Sequence, residues 1–260
     1  MSTPLDFSGR KILITGGTRG IGRGIAEAFL AAGADVAVCG RKEPNELPSV
    51  PGKRAIFVSV DLRDAEQVEK MVDEVVKRFG RLDVLVNNAG GAPFADAATA
   101  SPRFSEKIIQ LNLTAALHCA QQANRVMQTQ SSGGSIINIA SVSGIRPSPG
   151  TAAYGAAKAG LINLTGTLAI EWGPKVRVNV ISAGMIQTEQ AHLHYGDEEG
   201  IARIADTVPL KRLGTPQDVA GACLYLASSL ASYVSGANLV LHGGGETPAF
   251  LSAASVNRGE

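Results

Sequence analysis

"KILITGGTRGIG", residues 11–22, is an apolar run that passes directly into a glycine-rich turn. Ile12, Leu13 and Ile14 follow one another with no polar alternation, the pattern of a strand covered on both faces. Gly16, Gly20 and Gly22 then have the spacing of a tight turn, a close backbone approach and a close helix–strand contact. A helix opening there points free N–H groups and the positive end of its dipole at an anion, and a pyrophosphate suits that place. Thr18, Arg19 and Ile21 lie between the glycines and belong to the same candidate contact surface. No Gly-Lys-Ser/Thr follows, so the turn is not a P-loop.

The same rhythm continues outward from this turn. Short β-branched runs recur at 11–15, 35–39, 55–60, 82–86, 135–140, 176–181 and 238–242, with helical patterns between them. The clearest helix is 65–79, where Val68, Met71, Val72, Val75, Val76 and Phe79 share one face. Asp64 with Gln67 resembles a capping box at its start, and Gly80 stops it. Strand–helix alternation along the chain predicts an α/β fold: one Rossmann-type, doubly wound parallel sheet of about seven strands with helices on both faces. No shift in composition divides it, so residues 1–260 read as a single domain. Residues 42–53 are Pro-rich and read as a loop. Residues 186–214 break the rhythm and read as a short helical excursion, a lid over the site. Residues 246–260 lack periodicity and read as a tail or a subunit-contact arm.

Composition excludes several function classes. The formal charge of +1 gives no basic surface for nucleic acid or an acidic membrane. Aromatic residues are 5% of the chain, too few for a base-stacking platform. Cys39, Cys119 and Cys223 are scattered and odd in number, which supports neither a disulfide framework nor a zinc site and suits a reducing compartment. "MSTPLDFSGR" has no basic stretch followed by an apolar run, so no signal peptide is expected. No apolar stretch reaches membrane-spanning length. A cytoplasmic protein is the expectation.

The second strand ends "AVCGRK". A dinucleotide fold reads the adenosine ribose at that point, and an acidic residue there selects a free 2′-hydroxyl. Here Arg41 follows the strand tip, and Arg19 lies in the glycine turn. Two guanidiniums and no carboxylate suit a 2′-phosphate, which points to NADP(H).

A second stretch carries chemistry. "AAYGAAKAG", 152–160, sets Tyr154 and Lys158 one helical turn apart among small residues. An ammonium near the phenol is expected to draw its pKa below the ordinary value, so that it exchanges protons with an alcohol or carbonyl oxygen. The small neighbours keep this face low enough for a flat cofactor to approach. "NIASVSG", 138–144, ends the fifth strand and offers Ser141 and Ser143 as hydroxyl donors before that helix. Neither serine lies in a GxSxG elbow, and no histidine sits on a fitting strand end, which argues against a Ser–His–Asp hydrolase.

Taken together, "TGGTRGIG", "NNAG" (87–90), "YGAAK" (154–158) and the intervening serine resemble the short-chain dehydrogenase/reductase family. The likeness runs from about Gly9 to about Gly244, with several independent motifs in order. It implies a catalytic tetrad of Asn112, Ser141, Tyr154 and Lys158. Tyr154 would be the general acid/base, and Lys158 would also hold the nicotinamide ribose. Asn112 would set a backbone kink and a water that passes protons. Ser141 precedes Tyr154 by the family's interval, which leaves Ser143 to line the substrate side with Met185. The likeness further implies cofactor contacts at Asp61 and Leu62 (adenine), at Asn88, Ala89 and Gly90 (adenosine ribose), and at Gly184, Ile186 and Thr188 (carboxamide and phosphates).

It also implies hydride transfer between NADP(H) and a secondary alcohol or ketone, with no metal. The apolar lid residues Met185, Ile186, Leu193, Ile201 and Ile204 lean toward a 3-oxoacyl thioester or a hydroxysteroid. Family members commonly form homotetramers, or homodimers, on helices that here span 103–129 and 154–172 and on the last strand. The alternative is an NADP(H)-binding sensor or scaffold without turnover, and the intact tetrad argues against it. Two positions depart from the family pattern. Ala183 stands where Pro is usual, which frees one φ, and His242 stands where Asp is usual. His192 and His194 have no evident third ligand and read as lid or surface residues.

Overall fold

The computed structural model describes residues 5–253. The chain runs through β1 (Lys11–Thr15), α1 (Gly20–Ala31), β2 (Asp35–Gly40), β3 (Ser49–Val50), β4 (Lys53–Arg54), β5 (Ile56–Ser59), α2 (Ala65–Phe79) and β6 (Val84–Asn87). It continues through α3 (Pro102–Ile109), a five-residue π turn (Gln110–Thr114), α4 (Ala115–Met127), β7 (Gly134–Ser141), α5 (Ala152–Glu171) and β8 (Val176–Ala183). It ends with α6 (His192–Tyr195), α7 (Glu198–Thr207), α8 (Pro216–Ala227), β9 (Asn238–Leu241) and α9 (Ala249–Ala253).

Seven strands form one sheet in the order β5-β2-β1-β6-β7-β8-β9. Every pairing in it is parallel. The chain leaves β1 toward β2 and β5, then returns to β6 on the other side of β1. Loops at the strand C-termini therefore part above β1 and β6, and an open α/β sheet binds its ligand in such a crevice.

The alternation of side chains along each strand explains why the sheet is covered on both faces. Ile12, Ile14, Val36 and Val38 pack with Ile25, Phe29, Val219 and Cys223, which belong to α1 and α8. Leu13, Ala37, Cys39 and Leu85 face the other way, onto Val72 and Val75 of α2 and onto Cys119 and Ala123 of α4. A buried polar chain ties the central strands to the helices on that second side. Asn87 Nδ2 donates to Asn138 Oδ1 at 2.9 Å, and Asn138 Nδ2 donates to Thr165 Oγ1 of α5 at 2.9 Å.

Several expectations need correction. Residues 42–53 do not form a plain loop: Ser49 and Val50 pair with Arg54 and Lys53 in an antiparallel hairpin. Lys53 Nζ anchors it, donating to Gly33 O, Ala34 O and Asp35 Oδ1. Helix 65–79 stands as expected, with Asp64 accepting from Glu66 N and Gln67 N and with Gly80 at φ 79°. Its start is not a reciprocal capping box, because Gln67 Oε1 accepts from Asp61 N instead. The expected helix 103–129 is two helices joined by the π turn. The excursion 186–214 carries α6 and α7, and its ends meet: Gln187 N donates to Gly214 O at 2.8 Å, and Gly214 N donates to Met185 O at 2.9 Å. Within the tail 246–260, Thr247 N donates to Thr207 O at 3.1 Å and α9 follows; the rest of the tail, from 254, lies outside the described residues. Among the described residues no helix is long and apolar enough to cross a membrane.

Candidate active site

The glycine turn sits at the C-terminal end of β1, at the crevice. Gly16 has φ 63°, which favours glycine, and it turns the chain back over the sheet. A Cβ on Gly22 would stand 2.4 Å from Gly16 O and 2.5 Å from Asn88 Nδ2, so only glycine lets α1 start this close to the turn. Thr15 and Asn88 lash the two central loops together. Thr15 Oγ1 accepts from Asn88 N and Ala89 N, each at 3.0 Å, and Asn88 Nδ2 donates to Thr15 O at 2.9 Å. Arg19 precedes α1 in an extended conformation and is exposed, while Thr18 and Ile21 are half-buried beside it.

The end of the crevice expected to meet an adenosine lies beyond β2 and β5. Arg41 is exposed just past β2. Asp61 is engaged by Arg63, whose Nε donates to Oδ1 at 2.9 Å and whose Nη2 donates to Oδ2 at 2.5 Å. That guanidinium, with Arg41 adding a smaller attraction, holds the Asp61 carboxyl down to about 2. Asp61 thus reaches the crevice as a neutralised carboxylate. Leu62 turns its side chain into the core beside Val60 and Val68, which leaves its backbone for any nucleotide contact.

Tyr154 and Lys158 stand on α5, and the geometry overturns the expected direction of the phenol pKa. Burial pushes the Tyr154 phenol above its ordinary value, and a hydrogen bond with Ser141 offsets part of the rise. The ammonium directs its hydrogen bond to the backbone of β7. Lys158 Nζ lies 5.6 Å from the Tyr154 ring centroid and donates to Ile139 O of β7 at 2.7 Å. Lys158 is 3% exposed, and burial lowers its pKa from 10.5 to about 8. The phenol therefore holds its proton, and the lysine is the group that approaches neutrality.

Asn112 is brought to the same place by the π turn. Its Oδ1 accepts from Gly91 N at 2.8 Å, and its Nδ2 donates to Gly91 O at 3.0 Å and to Ile108 O at 2.9 Å. A Cβ on Gly90 would lie 2.6 Å from Asn112 Oδ1 and 3.2 Å from Lys158 Nζ, so the bare glycine backbone fills the gap between them. Ser143 Oγ lies 3.1 Å from Ser148 Oγ, within the β7–α5 loop. A cavity of about 70 Å³ abuts Tyr154, lined mainly by Ala92, Pro93, Ala95, Phe104 and Ile108 with Thr151.

The segment after β8 closes the far side. Gly184 N donates to Leu241 O at 2.8 Å, and a Cβ on Gly184 would touch His242 at 2.8 Å. The two departures from the family pattern, Ala183 and His242, are thus neighbours at the ends of β8 and β9. Met185 is half-buried, Ile186 is buried, and Thr188 lies against the glycine turn. His192 is exposed on α6. Sequence reading missed the Thr15–Asn88 lashing, the Arg63 clamp and the Asn87–Asn138–Thr165 chain. It also missed Tyr195, which burial first, and then Tyr154 and Glu246, push to a higher pKa. An ion pair of Arg146 with Glu246 joins the β7–α5 loop to the C-terminal segment. Only Thr15 and Asn88 left a local signal, in the "TGG" and "NNAG" stretches themselves.

The residues present fit a nicotinamide dinucleotide. The bare glycine cradle, the N-terminus of α1 and the basic residues past β2 match its pyrophosphate and ribose ends. A family profile described as enoyl-(acyl carrier protein) reductase matches residues 16–246. The chain is 36% identical over 244 residues to a probable 2,4-dienoyl-CoA reductase of Bacillus subtilis, covering 90% of this chain and 96% of that protein. It is 35% identical over 239 residues to a 3alpha-hydroxysteroid dehydrogenase of Mediterraneibacter gnavus, covering 89% of this chain and 94% of that one. The ligand-free structure of an aldohexose dehydrogenase from Thermoplasma acidophilum superposes with a TM-score of 0.85 at 30% identity, over 92% of this chain and 94% of that chain.

Proposed function

Because the chain belongs to the short-chain dehydrogenase/reductase family, we propose that it interconverts a secondary alcohol and a ketone with NADP(H), through Asn112, Ser141, Tyr154 and Lys158. The observation that carries this reading is the convergence of Tyr154 with the buried Lys158, one turn apart on α5, and of Asn112 across the bare Gly90 backbone from Lys158 Nζ. Bound at the glycine turn, the dinucleotide would supply or accept the hydride. Ser141 orients the carbonyl oxygen. Tyr154, which keeps its proton, donates it to that oxygen as charge develops there. Lys158, still protonated at neutral pH but made more acidic by burial, then returns a proton to the phenolate, and its bond to Ile139 O fixes its reach. Asn112 holds the Gly91 backbone and so keeps the loop beside Lys158 in place.

Arg41 and the clamped Asp61 support a 2′-phosphate over a free hydroxyl, because no uncompensated carboxylate meets it. The apolar cavity beside Tyr154 supports a substrate with an aliphatic or polycyclic body, a 3-oxoacyl thioester or a hydroxysteroid. The names of the dienoyl-CoA reductase and hydroxysteroid dehydrogenase relatives agree with that class. Residues 186–214 act as the lid. Ile170 and Tyr233 are exposed apolar residues near the α5 end and before β9, which supports a homotetramer built there. The buried thiols suit the cytoplasm.

The test is Tyr154→Phe, assayed at 340 nm on ketoacyl-CoA and ketosteroid substrates. Turnover is expected to fall about a thousandfold, while NADPH affinity, measured by calorimetry and tighter than that for NADH, stays within about twofold. Unchanged turnover, or tighter binding of NADH, overturns the assignment.

A further inference from the structure

We propose that Glu189 is a built-in competitor for the cofactor's pyrophosphate, holding the excursion 186–214 on the glycine turn until a dinucleotide displaces it. The inference rests on the reading that this turn binds the dinucleotide. Its basis is the way α1 is capped. Helices α2, α3, α7 and α8 each take a capping hydrogen bond from the residue that precedes them, namely Asp64, Ser101, Asp197 and Thr215. At α1 the preceding residue, Arg19, makes no such bond, and the first turn holds no acid. The missing acceptor comes from 169 residues away: Gly20 N donates to Glu189 Oε1 at 3.0 Å. Thr188 comes with it, its Cγ2 lying 3.6 Å from where a Cβ on Gly20 would stand.

A carboxylate thus occupies the position where a pyrophosphate would take the same N–H group and the same helix dipole. Among the described residues no cation forms an ion pair with Glu189, so the helix terminus is the positive partner it has. Two anions cannot share one N–H. When a pyrophosphate enters, the Glu189 carboxylate must leave, and the segment loses this tie to α1. Glu189 therefore subtracts from cofactor affinity and gives the closed segment a defined route for opening. A family-wide reading of the glycine turn does not foresee this, because the competitor sits on the opposite wall of the crevice.

The experiment compares wild type, Glu189→Gln and Glu189→Ala by calorimetry, with NADPH and with inorganic pyrophosphate as titrants, at low and high salt. Glutamine keeps an acceptor of the same shape and removes the charge. At low salt the Kd for NADPH is expected to fall about three- to tenfold in Glu189→Gln, and the gain should shrink as salt screens it. Pyrophosphate alone should show the same order of affinities. Without ligand, hydrogen exchange at Gly20 should quicken in Glu189→Ala. Equal Kd values in wild type and Glu189→Gln at both salts, or weaker binding by the variant, overturn the proposal. If the wild type binds neither NADPH nor NADH, the assignment of the turn itself falls, and the competition falls with it.

Discussion

Lys158 is the residue at which function and stability pull in opposite directions. Its ammonium is buried under the sheet end and donates a hydrogen bond to one carbonyl, Ile139 O. Lowering its pKa from 10.5 to about 8 corresponds to a cost of about 3 kcal/mol at neutral pH, where folded and unfolded chains both carry the charge. Replacing it with methionine removes that cost and gives up one hydrogen bond worth about 1 kcal/mol. Lys158→Met should therefore be inactive yet more stable at pH 7, by about 2 kcal/mol or about 5 °C in Tm. The sign follows from proton binding. Between pH 8 and 10.5 the folded lysine has lost its proton and the unfolded one has kept it, so wild-type stability rises with pH. The gap between variant and wild type should be full below pH 8, narrow through that window and reverse above it, leaving wild type ahead by about the 1 kcal/mol of the hydrogen bond. Thermal melts of both proteins at pH 7, 9 and 10.5 check this. A variant that melts lower than wild type at pH 7 would mean that the lysine is a net stabiliser and its burial is compensated.

The π turn at Gln110–Thr114 shows what one element contributes. An extra residue in the helical ladder swings Asn112 toward the Gly91 loop, where it makes three hydrogen bonds to backbone. Asn112→Ala leaves the Gly91 N–H and the Gly91 and Ile108 carbonyls without that partner, and the expected loss is about 1–3 kcal/mol in chemical denaturation. Turnover should fall more than about tenfold, because the loop beside Lys158 is then free to move. A variant with full stability and reduced turnover would place Asn112 in proton transfer alone. The family resemblance already placed a backbone kink at Asn112, but the apolar spacing did not show the π turn. The apolar spacing of 103–129 reads as one continuous helix, since a π turn displaces the face only slightly. What was legible had local causes: buried runs such as Ile12–Leu13–Ile14, the Asp64 cap and the Gly80 stop. The hairpin at 49–54 escaped because two paired residues on each side leave no period to detect. The phenol pKa escaped for a different reason. The spacing from 154 to 158 fixes that the two side chains are neighbours, but the position of Nζ depends on where β7 offers a carbonyl. The Glu189 contact depends on folding alone.

At the scale of the whole molecule, the sheet and the excursion differ in what secures them. Strands β1, β6 and β7 are buried on both faces and joined by the Asn87–Asn138 bond as well as their ladders. Helix α7 has no buried residue, and the excursion that carries it is closed at its base by two backbone hydrogen bonds between 185–187 and 214. Opening free energy scales with buried contacts, so the excursion should open without disturbing the sheet. In native-state hydrogen exchange, amides of β1, β6 and β7 are expected to exchange at least about a hundredfold more slowly than those of α7. NADPH should then slow exchange in residues 15–22 and 87–91, quicken it at 188–190, where Glu189 is displaced, and leave the β3–β4 hairpin unchanged. That pattern would tie the three loops into one ligand-responsive unit carried on a rigid frame. If α7 were protected as strongly as β6 before any ligand is added, the excursion would belong to the cooperative core, and access to Tyr154 would need another route.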